Sequence, residues 1–483
     1  MVCIFRTSHS VQRQSRLLVS SLLLLFSGGI ANAQRIDDEA NAIDGKHLRF
    51  QTDAFECQAS RAYDGELELL DVIVLATCAS AAIQRGRAGV DERHAVRDGV
   101  AAKYWPTVSA ELNETTFKKS AEYNSVPFAD YSYRGRSSGA SLMLNWILFD
   151  AGLRRAEWQY ATHMLLAANF DRDDIIRNTL INAVDVFHQA QFAAAALVDA
   201  VDAERTAATS ASSVAVLLTE GLGSVSDVFM AQTSLDKITM ERIRAESAKR
   251  ETLTALAAVL GLPRSSKIII SNKIFQSPSF QFTVNINTLV STVLHEHPRL
   301  NALQAELDAA VARVEAASSE GLPSLSLTAS NDKSRSSQNP FSAAQRTHGW
   351  ALGLQLTIPL FDGFSRNRKI AAARAQHKAK QAELAVAMQE VEGEIWRVYE
   401  LLRRQTESVA VAERLVGNAL KAFSAAKSRY ESGVGSILEL LKSQGDLVDS
   451  RQQALITRFE WYRSKMEMAI LVGDLERFEH HSK

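Results

Sequence analysis

The chain has 483 residues, 46% of them hydrophobic, and its 54 Lys and Arg are balanced by 55 Asp and Glu. Opposite charges are mixed along the sequence, so composition makes no case for a nucleic-acid partner or for an anionic lipid surface. The hydrophobic content is ample for a folded protein, and only three cysteines are available for cross-linking.

At the N-terminus Arg6, Arg13 and Arg16 precede an apolar run from Leu17 to Phe26, followed by Ser27-Gly28-Gly29 and Ala31-Asn32-Ala33. This order predicts a secretory signal over 1–33, cleaved after Ala33. The apolar run of about ten residues is too short for roughly 30 Å of hydrocarbon, which argues against a membrane anchor. No cysteine stands at the cleavage site, so no lipid is expected there. Cys3 leaves with the signal. Cys57, in an N-terminal segment over 34–65, and Cys78 are then candidates for a disulfide in an oxidising periplasm, the alternative being two buried thiols. Beyond the signal no apolar stretch reaches about 18 residues, so a membrane role requires a β-barrel.

Next come two alternating stretches. After Pro106, Val108, Ala110 and Leu112 share one face, and later Ala140, Leu142, Leu144, Trp146 and Leu148 do the same. A polar, aromatic-bearing loop is expected between them over Lys118–Asp130. From Ala151 to Leu218 a long helix is expected, close to seventy residues without proline and roughly 100 Å if continuous. Gly221 and Gly223 mark a reversal, and Ser224–Leu262 reads as a returning helix ended by Pro263. A linker over 263–288 separates this first unit, 66–262, from a second.

The second unit, 289–474, repeats the first. Leu148-Phe149-Asp150-Ala151 matches Leu360-Phe361-Asp362-Gly363 at an offset of 212. The offset persists: Gly221 falls on Gly433, Gly223 on Gly435, Ser224 on Ser436, Asp227 on Glu439, Gln232 on Gln444 and Gly261 on Gly473. Two copies of one unit are therefore expected. Strands follow again at Leu325, Leu327 and Ala329, and at Trp350, Leu352, Leu354, Leu356 and Ile358, with a Ser-rich loop over Asp332–Arg346 between them. A heptad seam then runs through Leu384, Met388, Val391, Ile395, Val398 and Leu402, and on through Val409, Ala412, Val416, Ala419 and Phe423, with Gln405 at the skipped position. A polar tail, 475–483, closes the chain.

Four strands cannot close a barrel, since the smallest single-chain barrels need about eight. The open edges predict a homo-oligomer contributing four strands per subunit, with Trp146 and Trp350 at lipid-facing positions. A soluble four-stranded sheet packed on helices is the competing reading. The secretory signal and the length of the helices favour the barrel.

The duplicated strand–strand–helix–helix plan, LFDAG and LFDGF at the strand-to-helix junctions, and the turns EGLGSVSD and ESGVGSILEL together resemble the TolC family of outer-membrane factors, over nearly the whole mature chain. The resemblance implies a mixed α and β membrane protein: a homotrimer forming a twelve-stranded outer-membrane barrel, continuous with a coiled-coil tunnel across the periplasm of a Gram-negative bacterium. It implies a periplasmic adaptor and an inner-membrane ABC-type exporter or other pump as partners, outer-membrane lipid around the barrel, and no cofactor. It further implies that the turns at Gly221, Gly223, Ser224, Gly433, Gly435 and Ser436 dock the adaptor and form the pore entrance. Tyr430 and Asp227 match a hydrogen-bonded latch there, with Gly435 where the family's latch arginine stands. Glu439 matches the first of two entrance acids, and Lys442 replaces the second.

An enzyme is a poor rival. His295-Glu296-His297 lacks the H-E-x-x-H spacing and runs into Pro298 at what reads as the start of a helix; His480-His481 lies in the tail; no G-x-S-x-G elbow or Walker loop occurs. A structural coiled-coil envelope protein explains the heptads but not the recurring strands. The missing lipid site points to type I secretion of a large protein of the haemolysin kind, with multidrug efflux as the alternative.

Overall fold

A computed structural model describes residues 66–121, 131–221, 223–264, 266–270, 286–339 and 342–472. The expected signal, Cys57, much of the expected linker, Gly473 and the expected tail with His480 and His481 lie outside these residues. Among the described residues no single helix is long and apolar enough to cross a membrane.

The elements in chain order are β1 (Glu66–Leu67), α1 (Leu69–Ala79), α2 (Ala81–Ala101), a short 3-10 turn, β2 (Thr107–Ala121), β3 (Tyr131–Phe149), α3 (Leu153–Thr219), α4 (Val225–Val259), β4 (Ile269–Ile270), α5 (Ile286–Glu296), α6 (Pro298–Ser319), β5 (Ser324–Asn339), β6 (Ser342–Thr357), α7 (Ser365–Glu431) and α8 (Ile437–Val472). The two long helices, α3 and α7, are both 67 residues and start 212 positions apart. The described residues divide into two compact units, one within 90–167 and 303–382, the other within 66–89, 168–302 and 383–472.

The first unit is built on an antiparallel sheet ordered β2-β3-β5-β6. Its register brings apolar positions of all four strands to one face: Val108 lies opposite Leu144, Leu144 opposite Ala329, and Ala329 opposite Leu352. The face is bare, with Leu112 83% and Trp350 76% exposed. The other face is small and polar, pairing Asn113, Gly139, Ser334 and Thr347 across the sheet. Phe117 lies over Gly135 there, so that a Cβ on Gly135 would fall 2.5 Å from the ring.

The strands run well past their apolar ends. Lys118 and residues 332–346, expected in loops, are largely strand, since β2 reaches Ala121 and β5 reaches Asn339 before β6 begins at Ser342. Where both faces are polar no alternation survives to signal a strand, although the ladder of backbone hydrogen bonds continues.

The LFDAG and LFDGF motifs start the long helices. Asp150 Oδ2 accepts from the Arg154 backbone N–H at 3.0 Å and from Arg154 Nε at 2.7 Å, and Asp362 Oδ2 accepts from the Arg366 N–H at 2.7 Å. These carboxylates satisfy amides that a helix start leaves unpaired. Between cap and helix the backbone is left-handed, at φ +53° and +90° for Ala151 and Gly152 and +65° and +66° for Gly363 and Phe364. The Arg154 guanidinium lies 4.6 Å from the Tyr104 ring centroid, and Trp146 Nε1 donates to the Tyr104 carbonyl at 2.9 Å. Trp146 is thus half-buried at this junction rather than bare like Trp350.

In the second unit the seam of α7 is buried at Val391, Ile395, Val398, Leu402 and Val409. It departs from the expected heptad at its start, where Ala387 is buried and Met388 exposed. Gln405 in the seam donates to Glu460 of α8 at 2.5 Å, and Trp461 Nε1 donates to Thr406 Oγ1 at 2.9 Å. A separate core joins Leu67 and Val72 to Phe187, Leu256 and Leu260, beneath a two-stranded parallel sheet of β1 and β4 that alternation did not reveal. α4 ends at Val259, ahead of the expected break at Pro263, and the chain leaves it through Gly261 at φ +66°; a Cβ there would meet that of Ala79 at 2.6 Å. Cys78 is disulfide-bonded.

Candidate functional site at the paired helical turns

Both long helices end in the same way. Gly221 and Gly433 take φ +78° and +73°, the left-handed conformation that lets a chain leave a helix and that costs glycine nothing. The Gly433 amide donates to the Tyr430 carbonyl, and those of Val434 and Gly435 to the Arg429 carbonyl, each at 3.0 Å. Ser224 and Ser436 then cap the returning helices, accepting from Ser226 N and Glu439 N respectively, both at 3.2 Å.

The second glycine of each turn is required by space. A Cβ on Gly435 would stand 2.9 Å from the Tyr430 amide nitrogen and 3.0 Å from the Arg429 carbonyl carbon, and one on Gly223 would stand 3.0 Å from the Leu218 nitrogen. Backbone cannot yield as a flexible side chain would, so an arginine at position 435 does not fit this turn. Arg429 supplies a guanidinium nearby instead, 3.8 Å from Glu439.

Four helices meet at this end of the second unit. Val214 of α3, Ala231 of α4, Phe423 and Tyr430 of α7, and Ile437, Leu440 and Leu447 of α8 form one buried cluster. Tyr430 is 7% exposed, and its hydroxyl donates to Asp227 Oδ2 at 3.5 Å. Burial, and then the Asp227 charge that its proton faces, raise the Tyr430 pKa above the ordinary tyrosine value. The phenol therefore stays protonated and available as a donor.

Glu439 and Lys442 are both exposed. Lys442 lies 3.3 Å from Asp446, so along this stretch of α8 each charge has an opposite one beside it.

Sequence reasoning matched Gln444 to Gln232 but assigned it no role. Gln232 is exposed and donates to Asp236 at 3.3 Å. Gln444 is 2% exposed in the seam between Leu440 and Leu447, and neither of its amide atoms has a hydrogen-bond partner among the described residues. The signal was an amide interrupting the apolar series Ile437, Leu440, Leu447 at helical spacing.

His295, Glu296 and His297 sit at a break between helices rather than at one helix start: α5 ends at Glu296 and Pro298 opens α6. His297 is buried, with Nε2 2.5 Å from Arg177 Nη1. A guanidinium can only donate, so Nε2 accepts and is not free to bind a metal. Among the described residues no group of three or more His, Cys, Asp or Glu is placed to hold a metal ion.

The pattern of the family described as outer membrane efflux protein matches residues 72–262 and again 289–474. The chain belongs to the outer membrane efflux protein family. This is the TolC family to which the sequence resemblance points, a family of channels rather than enzymes. The chain is 30% identical over 434 residues to protein CyaE of Bordetella pertussis, covering 88% of this chain and 90% of that one. It is 22% identical over 264 residues to the proteases secretion protein PrtF of Dickeya chrysanthemi, 54% of this chain and 56% of the other. The crystal structure of the Campylobacter jejuni CmeC outer membrane channel superposes with a TM-score of 0.73 at 16% identity, over 84% of this chain and 85% of that one.

Proposed function

We propose that three copies of this chain form an export duct: a twelve-stranded barrel in the outer membrane of a Gram-negative bacterium, continuous with a helical tunnel in the periplasm. The carrying observation is a sheet of four strands, each 15–19 residues long, with one bare apolar face and outer edges on β2 and β6 that have no neighbour among the described residues. An unpaired edge in hydrocarbon leaves backbone polar groups unsatisfied, and closure with other copies removes the cost. The apolar positions from Trp350 to Leu356 cover about 20 Å at 3.3 Å per residue, of the order of the apolar band of such barrels.

In this reading the chain is a signal over 1–33, an N-terminal segment over 34–65 whose Cys57 bonds Cys78, two copies of one unit over 66–262 and 289–474, a linker over 263–288 and a tail over 475–483. The turns at Gly221, Gly223 and Ser224 and at Gly433, Gly435 and Ser436 face the periplasmic adaptor. Tyr430 and Asp227 hold the entrance closed, and Glu439 contributes a ring of carboxylates weakened by Arg429 and Lys442. An inner-membrane ABC-type exporter supplies the energy. The cargo is a large secreted protein, a reading supported by the likeness to PrtF and by the absence of a lipid site after the signal.

The test is the secreted proteome of cells with and without the gene, beside their sensitivity to dyes and detergents. Loss of one large protein from the medium is expected. An unchanged medium with new sensitivity to dyes would replace protein secretion by drug efflux, and a purified chain that neither trimerises nor conducts in planar bilayers would overturn the duct itself.

A further inference from the structure

The register of the sheet sorts charge as well as hydrophobicity. On the face that carries Trp350, one row across the strands reads Ala110, Leu142, Asn331, Trp350. The next row toward the hairpin ends reads Leu112, Ala140, Lys333, His348, and the one after it Glu114, Ser138, Arg335, Arg346. Further out on the same face Thr116 pairs with Arg136 and Lys118 with Arg134. Lys118, Arg134, Arg136, Lys333, Arg335, Arg346 and His348 thus gather beyond the edge of the apolar band, all exposed.

The opposite face over the same rows pairs Thr115 with Ser137, Ser336 and Gln345, and its one strand cation there, Lys119, lies 5.7 Å from the Phe117 ring centroid. Alternation along a strand assigns residues to faces, so the gathering of cations on one face is a property of that face and not of the loops.

Two details point to an anionic occupant. Arg335 is directly opposite Arg346, and like charges facing each other across a ladder are unfavourable unless something negative lies between them. Glu114 is the acid of this face and it is paired with Arg136. Among the described residues Lys333, Arg335 and Arg346 have no ion-pair partner. The small side chains of Ser138 and Ala140 leave a depression between Lys333, Arg335, Arg346 and His348, open to solvent, of about 500 Å³.

We propose that this belt binds phosphate-bearing glycolipid headgroups of the outer leaflet. The inference rests on the reading of the sheet as a barrel wall. The helices join the sheet at the opposite ends of the strands, so the belt lies on the outer side of the band. Guanidinium groups match phosphate oxygens two at a time. A headgroup held there has its acyl chains over Leu142, Leu352 and Leu354 of the same face, a continuity that a free phosphate cannot use. Basic side chains at the edge of a membrane-facing surface attract anionic lipid in this way.

The test uses the full-length protein, purified in detergent and exchanged into phosphatidylcholine vesicles containing lipid A. The double variant Arg335→Gln/Arg346→Gln should retain on the order of tenfold less lipid A, read by native mass spectrometry, since each cation near such a surface adds to the attraction. Lys119→Gln on the opposite face should retain lipid A as the unaltered protein does, and Arg335→Lys/Arg346→Lys should keep an intermediate amount. Conductance in phosphatidylcholine bilayers should be the same for all of them. Equal retention of lipid A and its dephosphorylated form, displacement by inorganic phosphate alone, or unchanged retention in the double glutamine variant would overturn the proposal while the conducting barrel stands. An unaltered protein that does not conduct would overturn the barrel reading, and this proposal with it.

Discussion

The Tyr430 hydroxyl donates to the Asp227 carboxylate at 3.5 Å, joining the last turn of α7 to the first turn of α4. The bond is long, and its acceptor is half in solvent, so its contribution is about 0.5–1 kcal/mol. That is small beside the apolar cluster holding Tyr430 in place. Tyr430→Phe is therefore expected to fold with nearly unchanged thermal stability and to raise single-channel conductance, as is Asp227→Ala. If both variants conduct as the unaltered protein does, the bond is not a latch.

Gln444 buries an amide with no partner among the described residues, at a desolvation cost of about 1–3 kcal/mol. Gln444→Leu removes that cost at similar volume and should raise stability by about 1–2 kcal/mol, measured by denaturant titration of the detergent-solubilised protein. A coil that opens to pass cargo should then open less readily, so reduced export accompanies the gain. A destabilised Gln444→Leu would mean that the amide has a partner in the assembled channel.

Gly435→Ala places a Cβ 2.9 Å from the Tyr430 nitrogen. The turn must shift, at about 1–3 kcal/mol for this kind of overpacking, and Tyr430 moves with it. The expected result is lower thermal stability together with higher conductance. Gly89, whose Cβ would meet nothing within 4 Å, supplies the control: Gly89→Ala should cost nothing.

Glu439 lies 3.8 Å from Arg429, and Lys442 lies 3.3 Å from Asp446. Exposed pairs of this kind add little stability, but they cancel the field that a ring of carboxylates would set up at a pore mouth. Lys442→Asp is expected to raise cation over anion permeability and to strengthen block by polycations, with stability unchanged. Reversal potentials in a salt gradient measure this, and unaltered values would remove Glu439 and Lys442 from the pore entrance.

Burial first, then the charges of Arg177 and Arg299, hold the His297 pKa down at about 4. Each arginine has an acid beside it, Asp174 at 3.5 Å from Arg177 and Glu390 at 2.9 Å from Arg299. An unfolded histidine takes up its proton near pH 6.5. The stability contributed by neutral His297 is therefore complete above about pH 6.5 and is lost as pH falls toward 4, by an amount on the order of 3 kcal/mol. His297→Asn should flatten thermal stability over that range; an unchanged slope would assign the acid sensitivity elsewhere.

Much of this molecule was legible before any coordinates. The strand faces at Leu142, Leu144, Leu352 and Leu354, the unbroken helices and the paired turns with their left-handed Gly221 and Gly433 were all readable. Each follows from the geometry of a few consecutive residues, which repeats every two positions in a strand and every three to four in a helix. Asp150 and Asp362 were readable as a repeated motif, although their role as caps was not.

The sequence by itself determined these local choices and the repetition that doubles them. Tertiary structure decided which residues meet. Tyr430 reaches Asp227 across 203 positions, Gln444 is buried where its repeat partner Gln232 is exposed, and Arg335 faces Arg346 in a chain whose overall composition is charge-balanced. The last case has the plainest reason. Composition averages charge over the chain, whereas cross-strand register, fixed by hydrogen bonds between segments far apart in sequence, gathers it on one face.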